Sequence, residues 1–255
     1  MRIASWNVNS LRVRLEHVVD WLEQVQPDIL GLQETKLVDD NFPVSEFEAL
    51  GYRCAFSGQP TYNGVAVLSR LPIEEVITQF EGFEDPQRRV LGARIGPLRL
   101  FDLYVPNGQS VDSEKYSYKL DWLAALHAQL RRELEDHEHI AIIGDFNIAP
   151  GDGDVHDPES WEGKILCSTK ERAALGEIFA LGFEDTFRLF DQPEKSFSWW
   201  DYRAAAFRRN MGLRIDLVLA SSALSRCCVG AAIDKAPRKL ERPSDHAPVY
   251  ADFDL

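Results

Sequence analysis

The sequence predicts one α/β domain spanning residues 1–255, with mixed β-sheets covered by helices. Three observations carry that expectation. Strand-like runs outnumber helical ones. Antiparallel neighbours, such as Val90–Ile95 and Leu98–Val105 separated only by Gly96-Pro97, alternate with helical crossovers. No repeat, low-complexity tract or linker divides the chain, and 255 residues suffice for a substantial core.

The elements follow in order. Residues 2–8 read as a buried strand. Leu15, Val18, Val19, Leu22 and Val25 recur at helical spacing, which predicts a helix over 12–26 that stops before Pro27-Asp28. Asp28–Gln33 is a second buried strand, and the Asn-Gly of Tyr62–Arg70 announces a third. After the hairpin of 90–105 come a long helix at about 114–136 and a strand at His139–Ile143. A polar loop runs over 149–163, and a helix follows at about 169–181. Short strands near 197–200, 214–220, 227–233 and 248–253 complete the chain.

Four polar signatures sit where apolar runs stop: WNVNS (6–10), LQETK (32–36), GDFN (144–147) and SDHAP (244–248). Each has an ordinary explanation by itself, as a turn, a cap or a solvated strand end. Together they place Asn7, Glu34, Asp145, Asn147, Asp245 and His246 at strand ends. Carboxylates and amide oxygens are hard ligands suited to Mg²⁺ or Mn²⁺. A metal beside an Asp and a His activates water. Asp216 differs, because it lies inside the apolar run LRIDLVLAS. A buried unpaired carboxylate is costly, so Asp216 requires a partner such as His246.

Composition narrows the classes. The chain opens on a strand-like run without an apolar h-region, and no stretch approaches the length of a membrane span, so neither signal peptide nor membrane anchor is expected. Four cysteines without CxxC spacing argue against a zinc site and a disulfide framework and fit a reducing cytoplasm. Asp152, Asp154 and Asp157 have neither the glycine nor the terminal glutamate of a calcium loop. No GxxxxGK[ST] or GxGxxG phosphate loop and no HExxH pair occurs. A net charge of −13 argues against a general nucleic-acid binder unless a local cationic rim outweighs it. Arg88-Arg89, Arg203, Arg208-Arg209 and Arg238–Arg242 are the clusters able to form one.

The segments WNVNSLR, QPDILGLQETK, YNGVAVLSR, YVPNG, GDFNIAP, GLRIDLVLAS and ERPSDHAPV are similar, in order and spacing, to those of the endonuclease/exonuclease/phosphatase superfamily. Across nearly all of 1–255 the chain most resembles the bacterial exodeoxyribonuclease III branch of apurinic/apyrimidinic endonucleases. The resemblance implies a four-layered α/β sandwich: two mixed β-sheets packed face to face, flanked by helices, with the site in the cleft between them. It assigns Glu34 as principal Mg²⁺ ligand (Mn²⁺ as substitute), with Asn7 near the metal and Asp245 assisting. Asp145 handles the attacking water, Asn147 holds the scissile phosphate and Asp145, and His246, oriented by Asp216, neutralises transition-state charge. Tyr104 is the phosphate-binding tyrosine and Asn107 its neighbour. Whether Asp145 or His246 takes the proton is open at this level.

Departures from the pattern bear on substrate contacts. Asn9 stands where animal relatives carry an aspartate near the metal, and Leu213 replaces an aromatic of the abasic-sugar pocket. Trp199 matches the other wall of that pocket, and Ser110 and Arg203 stand where animal relatives place a DNA wedge, so a different grip on kinked DNA is expected. The loop Pro150–Ser168 is expected to overhang the site, with Trp161 and Leu166 restricting entry. The implied activity is Mg²⁺-dependent DNA repair: cleavage 5′ to abasic sites, removal of 3′-blocking groups and 3′-to-5′ digestion of duplex DNA, by a cytoplasmic monomer. The alternatives are a superfamily phosphatase acting on phosphoinositide or sphingolipid head groups and an inactive DNA-end-binding scaffold.

Overall fold

The computed structural model describes residues 1–255 and contains twelve strands in two six-stranded sheets. One sheet is built from β1 (Arg2–Asn7), β2 (Ile29–Gln33), β3 (Arg53–Ser57), β4 (Val65–Ser69), β11 (Cys228–Ile233) and β12 (Val249–Phe253), in the order β11-β12-β1-β2-β4-β3. The other holds β5 (Glu74–Ile77), β6 (Val90–Ile95), β7 (Leu98–Tyr104), β8 (Ile140–Asp145), β9 (Phe183–Asp185) and β10 (Asp216–Ser221), in the order β5-β6-β7-β8-β10-β9. Both sheets are mixed. The parallel pairs are β1–β2, joined through helix α1 (Leu11–Val25), and β7–β8, joined through α3 (Glu114–Asp136). A parallel pair needs such a crossover, whereas the Gly96-Pro97 turn suffices for the antiparallel β6–β7 hairpin.

Period-two alternation builds the layers. On β8, Ala141 and Ile143 face the other sheet, while Ile140 and Ile142 face the helices; Val218 and Ala220 alternate with Leu217 and Leu219 in the same way on β10. The inward set meets Ile3, Val65, Val67 and Ala251 of the first sheet. Outside the second sheet, Trp122 and Leu126 of α3 and Ile178 of α5 (Thr169–Ala180) cover Phe101 and Leu103. Outside the first, Val18, Trp21 and Leu22 of α1 cover Trp6 and Leu30. Three apolar seams therefore bind four layers, the sandwich expected from the resemblance.

The structure adds elements that the pattern concealed. Strands β3, β5 and β9 and helices α2 (Val44–Glu48) and α6 (Ser222–Ser225) lie in stretches whose pattern predicts no element, and α4 (Pro158–Trp161) lies in the expected polar loop. The run 197–200 is a correction in the other direction: it forms no strand, and Trp199 makes only isolated pairings with Leu213 and His246. Its backbone instead makes scattered hydrogen bonds, from Ser198 N and Trp199 N to Leu213 O, from Trp200 N to Asp245 O and from Ala247 N to Ser198 O, too few and too divided to form a ladder. All four cysteines are free, and no helix is long and apolar enough to cross a membrane.

Candidate active site

Strand ends create the site. Asn7 closes β1 and pairs in register with Gln33 at the end of β2, so the next residue, Glu34, lies beside it. Tyr104 closes β7 opposite Asp145, and Asp145 in turn pairs with Asp216 at the start of β10. The segment ahead of β12 delivers Asp245 and His246 from the other sheet. Glu34 and Asn147 both adopt left-handed backbone conformations, with φ of 52° and 49°. Side chains seldom accept that region away from sites that need it.

His246 is nine-tenths or more buried and its Nδ1 faces Asp216, 3.0 and 2.9 Å from the two carboxylate oxygens. Its Nε2 points toward Asp145, 3.8 Å from Oδ2. Burial opposes charging of this ring, yet Asp216, Asp145 and Asp245 together outweigh it and push its pKa up to about 10. The ring is thus an imidazolium at neutral pH. Asp145 is pushed up to about 7, chiefly by burial and then by the nearby Asp216 charge, against the pull of His246, Asn7 and Asn147. It titrates in the range a general base requires.

Around Asp145 the amides form a cradle. Asn7 Nδ2 donates to Asp145 Oδ2 and Glu34 Oε1, each at 2.9 Å. The Asn147 backbone N–H donates to Asp145 Oδ1 at 2.9 Å, and its Nδ2 donates to Asp145 Oδ2 at 3.2 Å and to Val105 O at 3.0 Å. Asn107 Nδ2 donates to Asn147 Oδ1 at 3.0 Å. Both Asn147 amide hydrogens are therefore engaged within the protein, and the amide with a hydrogen to spare for a phosphate is Asn107. Tyr104, under the Arg89 guanidinium at 4.6 Å, has its phenol raised well above the ordinary range by burial and by the charges of Glu34 and Asp145. It remains a neutral donor. Arg89, Tyr104 and Asn107 line a groove of about 640 Å³ with Gln87, Asn63 and Tyr62.

Glu34, Asp145 and His246 offer ligand atoms within 4.8 Å of one another. An imidazolium cannot ligate, which leaves the carboxylates of Glu34 and Asp145 as hard oxygen donors that fit a divalent cation such as Mg²⁺. Asn7 holds both through its Nδ2 and turns its Oδ1 to the Asn9 N–H. Asp245 does not join this group: Asn9 Nδ2 holds its Oδ1 at 2.9 Å and Trp199 Nε1 holds its Oδ2 at 3.0 Å. With His246, those contacts overcome the effect of burial and keep the Asp245 carboxyl below its usual value.

Of the expected substrate contacts, Trp199 stands half-buried against Leu213, which is wholly buried with Val155 and Leu166 and forms the floor beneath the indole. Leu166 likewise packs inward and does not overhang the cleft. Arg203 is exposed, whereas Arg238 is buried among Trp200, Tyr202 and Phe207 and donates to Ser244 O. That arginine pins the SDHAP segment and is absent from any rim. Sequence reasoning missed three supports. Lys36 Nζ bridges Glu34 Oε2 at 2.9 Å and Asn9 Oδ1 at 2.6 Å. Ser198 Oγ accepts the backbone N–H groups of Ile215 and Asp216 at 3.0 Å. Ser244 Oγ ties Asn7 O to the His246 N–H. Only Lys36 and Ser244, inside the signatures, carried a signal.

Comparison with known proteins agrees with this geometry. The Endonuclease/Exonuclease/phosphatase family matches residues 4–246. The chain is similar to exodeoxyribonuclease III of Haemophilus influenzae, 37% identical across 99% of this chain and 100% of that protein. It superposes on the 3′ phosphatase NExo from Neisseria bound to product DNA hairpin, with a TM-score of 0.98, 44% identity and full coverage of both chains. An AP endonuclease from Archaeoglobus fulgidus matches with a TM-score of 0.96 and 38% identity, again over both whole chains.

Proposed function

The chain belongs to the endonuclease/exonuclease/phosphatase family, in its exodeoxyribonuclease III and AP endonuclease branch, and from that premise we propose how its site performs DNA repair. It is a hydrolytic DNA-repair nuclease. Its substrates are duplex DNA cut 5′ to abasic sites, 3′ ends digested in the 3′-to-5′ direction, and 3′-phosphates and other blocking groups. A cytoplasmic monomer suits that work.

Glu34, with Asn7 beside it and Asp245 at greater remove, would hold a divalent cation such as Mg²⁺, and that cation would supply positive charge at the phosphate. Tyr104 and Asn107 donate hydrogen bonds to the phosphate. Asp145, fixed by Asn7 and Asn147 and titrating near neutrality, takes the proton of the attacking water. His246 is protonated through the reaction and neutralises charge that develops on the phosphate oxygens. The observation that carries this division is the Asp216–His246–Asp145 alignment. Held between Asp216 and Asp145, His246 is kept protonated and has no free lone pair to act as a base, whereas the Asp145 carboxylate facing it, made more basic by burial, has one. Trp199 over Leu213 receives the abasic sugar, and exposed Arg203 grips the backbone.

Gel analysis of one purified preparation tests the reading. Abasic duplex, recessed 3′ duplex and 3′-phosphorylated duplex should all be processed with Mg²⁺, less efficiently with Mn²⁺, and inositol phosphates should not. Preferred turnover of inositol phosphates would restore the head-group phosphatase, and no turnover of any substrate would restore the inactive scaffold.

A further inference from the structure

The most deeply buried charged side chain near the site has no role in the mechanism above. Lys119 is wholly shielded from solvent, and so is its counter-ion Glu171. The apolar face of α3 passes through Tyr116, Trp122, Leu123 and Leu126, and Lys119 interrupts that face. Burying an ion pair costs desolvation that the attraction seldom exceeds by much, so such a pair is weak evidence for stability and better evidence for a specified arrangement.

What Lys119 arranges is the amide pair at the phosphate. Its Nζ donates to Asn147 O at 2.7 Å and to Asn107 O at 3.2 Å, besides Glu171. Those carbonyls belong to the two asparagines joined by Asn107 Nδ2 to Asn147 Oδ1, one following β7 and the other following β8. The three ammonium hydrogens thus tie the two loops to α5. Glu171 accepts from Leu166 N at 3.1 Å and Ser168 N at 3.1 Å, so the same anchor fixes the loop that precedes α5.

We infer that Lys119 is a positioning residue for the hydrolytic step: it holds Asn147, and through it Asp145, in the reacting geometry and keeps Asn107 aimed at the phosphate. Lys119 touches no substrate. Its consequence for turnover rests on the nuclease reading, whereas the placement of the two asparagines does not. Misplacing a reacting group by about 1 Å costs ~10²-fold in rate, which sets the scale of the effect.

The experiment compares K119M with K119M/E171Q, in which no unpaired buried carboxylate remains to oppose folding, and with R99M as control. Arg99 forms a largely buried pair with Glu133 on the far part of α3, at 2.9 and 3.1 Å, slightly more exposed than Lys119–Glu171, and touches none of the site residues. Both Lys119 variants should lower kcat on 3′-phosphorylated duplex by about 10–100-fold and change the Kd for that duplex by less than about three-fold. R99M should lose thermal stability with kcat near the parental value. In metal-free protein, the Asn107 and Asn147 side-chain NH₂ resonances should move toward free-amide positions in the Lys119 variants and stay in place in R99M. A folded double variant with parental kcat, an equal loss in R99M, or unmoved amide resonances would each overturn the role of Lys119. Inactive parental enzyme on DNA, with the amides moving as described, would instead overturn the nuclease reading alone.

Discussion

At the scale of single residues, the decisive contact is the carboxylate behind His246. Asp216→Asn keeps the hydrogen bond but removes the charge that sustains the imidazolium, and turnover should fall ~10²–10⁴-fold, the range seen when an oriented histidine loses its partner. NMR titration of the ring in metal-free protein should move from about 10 in the parent to a lower value in the variant. The sign for stability follows: unfolded His246 releases its proton near ~6.5, the folded ring near 10. Its stabilisation is therefore complete below about 6.5 and lost as pH rises toward 10. Urea midpoints between pH 6 and 10 should fall less steeply in Asp216→Asn than in the parent. Asp145→Asn should be at least as damaging to turnover while abasic DNA still binds. Glu34→Ala should stay folded and lose Mn²⁺ binding by calorimetry, and EDTA should abolish parental cleavage until excess Mg²⁺ is added. Most of this constellation was legible in the sequence, because four strand ends that are ordinary singly carry one complementary set of polar groups when taken together. Ser198 was not legible as a support: a serine before two tryptophans fits any surface loop.

At the scale of elements, one glycine controls how two catalytic strands approach. Gly144 lies one residue before Asp145 with φ of 144°, and a Cβ there would stand 1.9 Å from Leu103 O of β7. That space cannot open without separating Tyr104 from Asp145, which sit opposite each other in the parallel register. Gly144→Ala should cost about 3 kcal/mol by urea denaturation, combining strain with displaced backbone, and should reduce turnover in the fraction that folds. Helix α3 was readable because one of its faces is largely apolar, and β8 because both of its faces are buried, which leaves a continuous apolar run. β5 was hidden for the opposite reason: as an edge strand with Glu74 and Glu75 facing water, EEVI shows no alternation. β9 has three residues, too few to display a period.

At the scale of the whole molecule, an acidic protein with a net charge of −13 must hold a polyanion through a local surface. Each phosphate contact contributes about −0.9 to the slope of log affinity against log salt. Arg203→Ala, at an exposed position, should flatten that slope by roughly one unit and weaken all duplexes alike, as fluorescence anisotropy at several salt concentrations would show. Burial of Arg238 means that Arg238→Ala should disturb folding and leave the slope in place. The four-layer arrangement could not come from periodicity, since facing sheets leave the same alternation as a single covered sheet; seven ordered segments of family likeness supplied it. The pairing of β1 with β12 has a further meaning for biosynthesis. Asn7 is made long before His246, and the sheet that joins them closes only when β12 slots between β1 and β11. A nascent chain therefore has no assembled catalytic centre until residues 249–253 have been made and can enter the sheet.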